Sequence, residues 1–176
     1  MKTLITNELL LDFVECRYRA YLKVTGATGQ KTDLTELHGR LREDYHTRAR
    51  EHLLRVYRDK GKRVCTDVGP SVVLANRYDL AIDVTATDNN VSVRFDALLL
   101  IAAPDNVSRS QPDYISVIFV DGDKVGKGDE LRLAVCASVL ALWQVRRPAF
   151  GRILHGSGFA NRNSSWLDDW KSPQGT

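Results

Sequence analysis

The sequence predicts an α/β domain in which helices flank a mixed β-sheet, with two helices at the N-terminus. Three observations predict it. Residues 6–61 carry helical periodicity, residues 71–121 hold several strand-length runs rich in Val, Ile, Phe and Tyr, and a further helix and a short strand follow. With 176 residues, 43% hydrophobic and 27% charged, the chain is long enough for one domain with a substantial core.

Two amphipathic helices are predicted before any strand. The first covers "ITNELLLDFVECRYRAYLKVTG", with Thr6 as its N-cap and Gly26 as its stop. The second covers "LTELHGRLREDYHTRAREHLLRVYRDKGK", capped by Asp33 and ended by Gly61. Its apolar stripe consists of Leu34, Leu37, Leu41, Tyr45, Ala49, Leu53 and Val56.

Four segments then read as strands: "SVVLANRY", "YDLAIDVTAT", "VSVRFDALLLIAA" and "DYISVIFVD". "TDNN" predicts a hairpin between the second and third. The helix "ELRLAVCASVLALWQV", with Asp129 as its N-cap, precedes a last strand in "FGRILHG". A helix between two strands is typical of a parallel connection, so the sheet should be mixed.

Residues 1–160 are predicted to form one domain, and residues 161–176 a polar tail in which Trp166 and Trp170 could dock on a partner. No apolar run approaches the roughly 18 residues of a membrane span, so no membrane partner is expected. Three widely spaced cysteines without a CxxC pair indicate a reduced, cytoplasmic protein.

Positive charge is concentrated in the N-terminal third. Residues 1–64 hold 14 Lys/Arg and 9 Asp/Glu, a net of +5, whereas the whole chain carries +3. This third could face a polyanion such as DNA, or it could simply be a pair of solvated helices. The candidate phosphate contacts are Arg17, Arg19, Lys23, Arg40, Arg42 and Arg48.

Asp96 is the acid that most needs an explanation, because it interrupts the apolar run of "VSVRFDALLL". Strand alternation would place Asp96 on one face with Arg94 and Leu98, opposite Phe95 and Ala97. With His38 from the long helix it could begin a Mg²⁺ or Mn²⁺ site that activates water for phosphodiester cleavage. The alternative is a salt bridge to Arg94 or to another arginine.

Several segments resemble the N-terminal domain of RecB-like nucleases in the PD-(D/E)XK superfamily, which are also similar to CRISPR-associated RecB-like exonucleases. "CRYRAYL" and "GRILHG" are the more specific of these segments; the others are "LREDYHTRAREHLL", "VSVRFDALLL" and "YISVIFVDGDKVGKGDELRLA". The resemblance implies a metal-binding Asp96, an assisting His38, and Cys16 as the first ligand of a 4Fe–4S cluster. It also implies an E-x-K on the strand after Asp96.

The chain departs from this pattern at the E-x-K. Ile115 and Val117 stand where Glu and Lys are expected, and the nearest substitutes, Asp121, Asp123 and Lys124, lie beyond the strand. Any Mg²⁺ or Mn²⁺ held by Asp96, His38 and Asp121, with Lys124 as the stabilising cation, should therefore bind weakly.

The following helix departs as well, since Arg132 and Cys136 stand where the family often has Gln and Tyr. No cysteine follows Cys136, so this chain alone cannot complete a 4Fe–4S cluster unless the protein continues.

Two functions therefore remain open at the level of the sequence. One is a metal-dependent DNA nuclease domain of the repair or processing type, with a degenerate active site. The other is a nuclease-fold module without catalysis that binds DNA or a protein. The partners expected are DNA and, by the resemblance, a helicase or a C-terminal nuclease segment.

Overall fold

The computed structural model describes residues 4–27, 32–88, 90–101, 113–144 and 146–165. Five helices and seven strands lie in these ranges. In chain order they are β1 Ile5–Thr6, α1 Asn7–Glu15, α2 Arg17–Val24, α3 Asp33–Asp59, β2 Val64–Thr66, α4 Pro70–Asn76, β3 Leu80–Asp88, β4 Val91–Ile101, β5 Asp113–Val120, α5 Lys127–Gln144, β6 Phe150–His155 and β7 Ala160–Ser165.

The strands form one mixed sheet in the order β2-β3-β4-β5-β6-β7, and β1 pairs with the first residues of β4. β3, β4 and β5 are an antiparallel meander, whereas β6 runs parallel to β5 after the helix α5. The predicted mixed sheet flanked by helices is therefore confirmed. No helix within the described ranges is both long and apolar enough to cross a membrane.

Helices cover both faces of the sheet and bury two apolar clusters. On one face α5 and α4 pack over residues such as Phe95, Leu98 and Tyr114. On the other face α3 packs Tyr45, Ala49 and Leu53 against a second set. That second set is Leu80, Ile82, Ala97, Leu99, Ile115, Val117, Phe119 and Leu154. The central strands β4 and β5 thus contribute to both clusters, which explains their nearly continuous apolar sequences.

The first predicted helix is two helices, because the chain is extended at Cys16 (φ −157°, ψ 103°). Thr6 caps α1 as predicted, its hydroxyl accepting a hydrogen bond from the amide of Leu9 at 3.2 Å. Asp12 is buried beside the break and pairs with Arg19 and Lys23 of α2. One α1 carboxylate thus ties α2 into place, a tertiary contact that periodicity does not reveal.

The long helix α3 is capped by Thr32 rather than Asp33: the Thr32 hydroxyl accepts from the Thr35 amide at 3.3 Å. Only the second half of its predicted stripe enters the core. Tyr45, Ala49 and Leu53 are buried, whereas Leu34, Leu37 and Leu41 are each at least half exposed. The described sheet therefore supports α3 along its C-terminal half.

The prediction of a strand for "SVVLANRY" is wrong, since this segment forms the helix α4. Pro70 at the first helical turn supplies a suitable φ without losing a helical hydrogen bond, and Arg77 (φ 50°) ends the helix. Val73 is fully buried against the sheet. A short apolar run fits either a strand or a buried helix turn, so the packing of Val73 decided between them.

Two smaller differences concern the C-terminal third. Asp129 is not the N-cap of α5 but lies inside its first turn, where Oδ2 accepts from the Gly126 amide at 2.9 Å. The segment expected to be a polar tail forms strand β7 as far as Ser165, paired with β6. Trp166 and Trp170 lie outside the described residues.

Candidate functional site

Asp96 lies where strands β4 and β5 separate. The last residue pair of their ladder is Ala97 with Val117. One step further, the amide of Phe119 donates to Oδ2 of Asp96 at 2.7 Å instead of to a backbone carbonyl. The carboxylate therefore substitutes for the neighbouring strand, which accounts for a polar side chain in an otherwise apolar run.

The alternation of side chains breaks at Asp96, so the predicted faces of β4 are only partly correct. Phe95 and Leu98 pack in the α5 cluster, and Ala97 packs in the α3 cluster. On β3 the same change occurs at Asp83, which has a φ of 56° and lies opposite Asp96 without a ladder pair. Asp83 and Asp96 therefore lie at the same break in the sheet. Side chains from helices on both faces of the sheet can reach this break.

Arg132 of α5 is the main partner of Asp96. Its Nη2 lies 2.7 Å from both carboxylate oxygens, and Asp96 is 2% exposed. Burial raises the pKa of Asp96, but the charge of Arg132, the nearby His46 and the hydrogen bond from the Phe119 amide outweigh it and hold the pKa below its ordinary value. Asp96 is therefore an ionised member of a buried ion pair.

Asp83 is paired as completely as Asp96. Its Oδ1 accepts from Arg94 Nη2 at 2.7 Å, and its Oδ2 lies 3.0 Å from Arg50 Nε. Arg50 also contacts Asp67 at 3.2 Å. The acid–arginine network is defined as Asp67, Asp83 and Asp96 with Arg50, Arg94 and Arg132. Three carboxylates face three guanidiniums, so its net charge is zero.

His46 is the functional candidate that sequence reasoning missed. Its Nε2 lies 3.5 Å from Oδ1 of Asp96 and 3.6 Å from Oδ1 of Asp83, and its ring lies 5.0 Å from that of Phe119. Eight residues separate it from His38, which is exposed in the first turns of α3. The sequence did hold one indication of this position: His46 directly follows Tyr45, a residue of the apolar stripe that packs α3 on the sheet.

The other predicted catalytic and metal residues are not partners of Asp96 among the described residues. Asp121, Asp123 and Lys124 are exposed in the turn after β5. Within the described residues, neither they nor His38 form a hydrogen bond or ion pair with Asp96. The structure thus gathers His46, Asp83 and Arg132 around Asp96.

The predicted phosphate contacts are all exposed and lie on α2 and α3, but they differ in whether a carboxylate pairs with them. Arg19 and Lys23 pair with Asp12, and Arg40 lies 3.7 Å from Glu36. Among the described residues, Arg17, Arg42 and Arg48 have no carboxylate within ion-pair distance; Arg17 and Arg48 lie over the rings of Phe13 and Tyr45 instead.

The three cysteines differ in how exposed they are. Cys16 is exposed between α1 and α2, whereas Cys65 is half-buried and Cys136 is fully buried under the sheet. Burial raises the pKa of Cys65 to about 11 and that of Cys136 to about 12. Neither buried thiol is a ready thiolate ligand at neutral pH.

The network does not fit a divalent cation as it stands. Mg²⁺ or Mn²⁺ requires direct oxygen ligands and a surplus of negative charge. Both oxygens of Asp96 contact Arg132, both of Asp83 contact arginines, and the net charge is zero. Among the described residues, no group of three or more His, Cys, Asp or Glu has metal-binding geometry.

Comparison with models of protein families and with curated protein sequences finds no match to this chain.

Proposed function

We propose that this chain is a nuclease-fold module that binds DNA without cleaving it. The observation that carries the proposal is the contact of Arg132 with both oxygens of Asp96 at 2.7 Å. A guanidinium occupies the position from which a catalytic metal would bind this carboxylate.

The order of elements around Asp96 supports the PD-(D/E)XK core. A helix, α3, precedes the antiparallel meander β3-β4-β5, and α5 leads to the parallel strand β6. Asp96 lies on the second strand of the meander, where the superfamily carries its metal-binding Asp. On the third strand, residues 114–120 are all buried and include no acid or lysine. The strand that should complete the catalytic set thus contributes mainly to the core.

DNA binding is supported by the exposed cations of the N-terminal third. Arg17, Arg42 and Arg48 are exposed and free of carboxylates among the described residues. An arginine that is not paired within the protein can release counterions from a phosphate backbone without first breaking an ion pair. These three residues are accordingly the preferred phosphate contacts, ahead of Arg19, Lys23 and Arg40.

The test combines cleavage and binding on the same samples. Wild-type protein and Asp96→Ala are incubated with single- and double-stranded DNA in Mg²⁺ or Mn²⁺, and binding is followed at several salt concentrations. We expect no cleavage by either protein and binding that weakens with salt. Cleavage by the wild type that Asp96→Ala abolishes would show a nuclease, and the absence of any binding would refute the DNA-binding role.

A weak metal-dependent nuclease is the second candidate, favoured by the convergence of His46 with Asp83 and Asp96 at 3.5–3.6 Å. If Arg132 moved away, His46 and Asp96 could hold a cation, while Asp83 would stay paired with Arg50 and Arg94. Mn²⁺ binding measured by electron paramagnetic resonance separates the candidates. Stoichiometric binding by the wild type supports the nuclease, whereas binding only by Arg132→Gln supports a site that the guanidinium blocks.

A further inference from the structure

A groove lined by three arginines and two acids lies on the flank of α3 opposite the acid–arginine network. α3 turns His46 and Arg50 toward Asp83 and Asp96, and it turns Arg48, His52 and Arg55 toward the β6–β7 turn. The α3–turn groove is defined by Arg48, His52, Arg55, Arg58, Ser157 and Phe159. Its volume is about 630 Å³, and the groove is broadly open to solvent.

The floor of the groove is an aromatic pair. The rings of His52 and Phe159 stack with centroids 4.5 Å apart and planes 21° apart, and Tyr45 supports Phe159 from a centroid distance of 5.8 Å. Burial, and then the charge of Arg55, lower the pKa of His52, so its ring is neutral at pH 7. The His52–Phe159 pair is therefore an uncharged aromatic surface. Both of its rings are partly exposed.

Phe159 is held there at a conformational cost. Its φ is 53°, in the left-handed region that disfavours side chains, and its amide donates to the carbonyl of Gly156 at 3.1 Å. The turn thus holds a large aromatic ring against α3 where glycine would suit the backbone better.

The arginines of the groove form no ion pair among the described residues, and Arg48 lies over the ring of Tyr45. Among the described residues, no carboxylate lies within ion-pair distance of Arg48, Arg55 or Arg58, although Glu51 and Asp59 also line the groove. Elsewhere in the described chain, arginines are commonly ion-paired; these are Arg19, Arg40, Arg50, Arg94, Arg132 and Arg162. Three free guanidiniums around one groove suit an anionic ligand.

We propose that the α3–turn groove binds a nucleotide unit, with its phosphate on Arg55, Arg58 and Arg48 and its base against the His52–Phe159 pair. An aromatic surface beside free guanidiniums matches the two parts of a nucleotide, and such stacking is tolerant of base identity. The unit can come from single-stranded DNA, in which case the inference rests on the proposed function, or from a free nucleotide.

The experiment measures the dissociation constants of full-length protein for a labelled oligothymidylate and for dTMP. Arg55→Ala should weaken the binding of both the oligothymidylate and dTMP. For the oligothymidylate it should also reduce the magnitude of the slope of log K against log salt by about 0.7. Phe159→Leu should weaken binding by about fivefold or more, and Phe159→Tyr, which keeps the ring, should restore it. Arg162→Ala, on β7 and outside the groove, is the matched control, and thermal melting verifies that each variant is folded.

The outcomes distinguish the two proposals. If the wild type binds oligothymidylate and the groove variants bind equally well, the groove inference is wrong and the DNA-binding function stands. If dTMP binds and is lost in Phe159→Leu while oligothymidylate does not bind, the groove inference holds and the DNA-binding function is wrong. If neither probe binds the wild type, both are overturned.

Discussion

At the scale of single residues, the question is how the protein stabilises a charged carboxylate inside the sheet. Asp96 is almost fully buried, yet its oxygens accept from the Phe119 amide and from Arg132. Removing a charge from water is costly, and only a partner of opposite charge with good geometry offsets that cost. Arg132 lies 36 residues further along the chain, on a different element.

The first prediction concerns this pair. Arg132→Met leaves Asp96 buried without a counterion and should lower the free energy of unfolding by about 3–5 kcal/mol. Asp96→Asn/Arg132→Met should lose less than the sum of the single variants, since neither charge remains. Urea denaturation measures all three. Arg162→Met, which removes an exposed pair with Glu130, should cost under about 1 kcal/mol; equal losses at both sites would contradict the assignment.

The second prediction is a dependence of stability on acid. The pKa of Asp96 in the folded chain lies below its ordinary value of 3.8, so the unfolded chain takes up the proton first as the pH falls. The contribution of Asp96 to stability is complete above pH 3.8 and is lost as the pH falls toward the lowered pKa. Urea midpoints of Asp96→Asn should therefore fall less between pH 5 and pH 3 than those of the wild type; parallel curves would refute this.

At the scale of elements, the close packing of α5 on β6 sets the position of Arg132. Gly151 of β6 lies directly beneath Leu133, the residue after Arg132. A Cβ at position 151 would come within 2.8 Å of the Leu133 side chain, so only glycine allows this approach. The sequence "FGRILHG" therefore encodes both a strand and a helix contact.

The third prediction tests that contact. Gly151→Ala should lower the free energy of unfolding by about 1–3 kcal/mol, because the helix must move or the side chain must leave its rotamer. Gly39→Ala is the matched control, since Gly39 lies within α3 with nothing near its missing Cβ. It should raise stability by about 0.5–1 kcal/mol. Thermal melting compares the two, and a neutral Gly151→Ala would mean that α5 does not pack this closely.

At the scale of the whole molecule, the two helical layers decide which side chains meet solvent. The sheet is covered by α3 on one face and by α4 and α5 on the other. Cys136 lies on the buried face of α5 and Cys65 packs at the edge of the same cluster, whereas Cys16 is exposed. Burial raises the pKa of the two inner thiols to about 12 and about 11, respectively.

The fourth prediction follows from this layering. A disulfide reagent such as DTNB at pH 8 should modify Cys16 rapidly in the native protein and the other two thiols slowly. In denaturant all three cysteines of the chain should react at one rate. Cys16→Ser is the control and should remove the fast phase alone. Two fast thiols in the native state would contradict the burial of Cys65 or Cys136.

Much of the architecture followed from local pattern. The period of 3.6 predicted α3 and α5, and apolar runs of strand length predicted β3, β4 and β5, because these patterns reflect which faces are buried. The same logic failed at "SVVLANRY", where a short run fitted both a strand and a helix turn. It also failed at Cys16, where the buried Asp12 fixes a break between two helices.

For the site, the sequence by itself determined that Asp96 needs a partner and that the following strand lacks a Glu and a Lys. Only the tertiary structure decided who the partners are. Arg132 comes from a helix on one face of the sheet and His46 from a helix on the other, and they meet Asp96 because β4 and β5 separate there. Contacts between residues far apart in the chain depend on packing and register, which local periodicity does not encode.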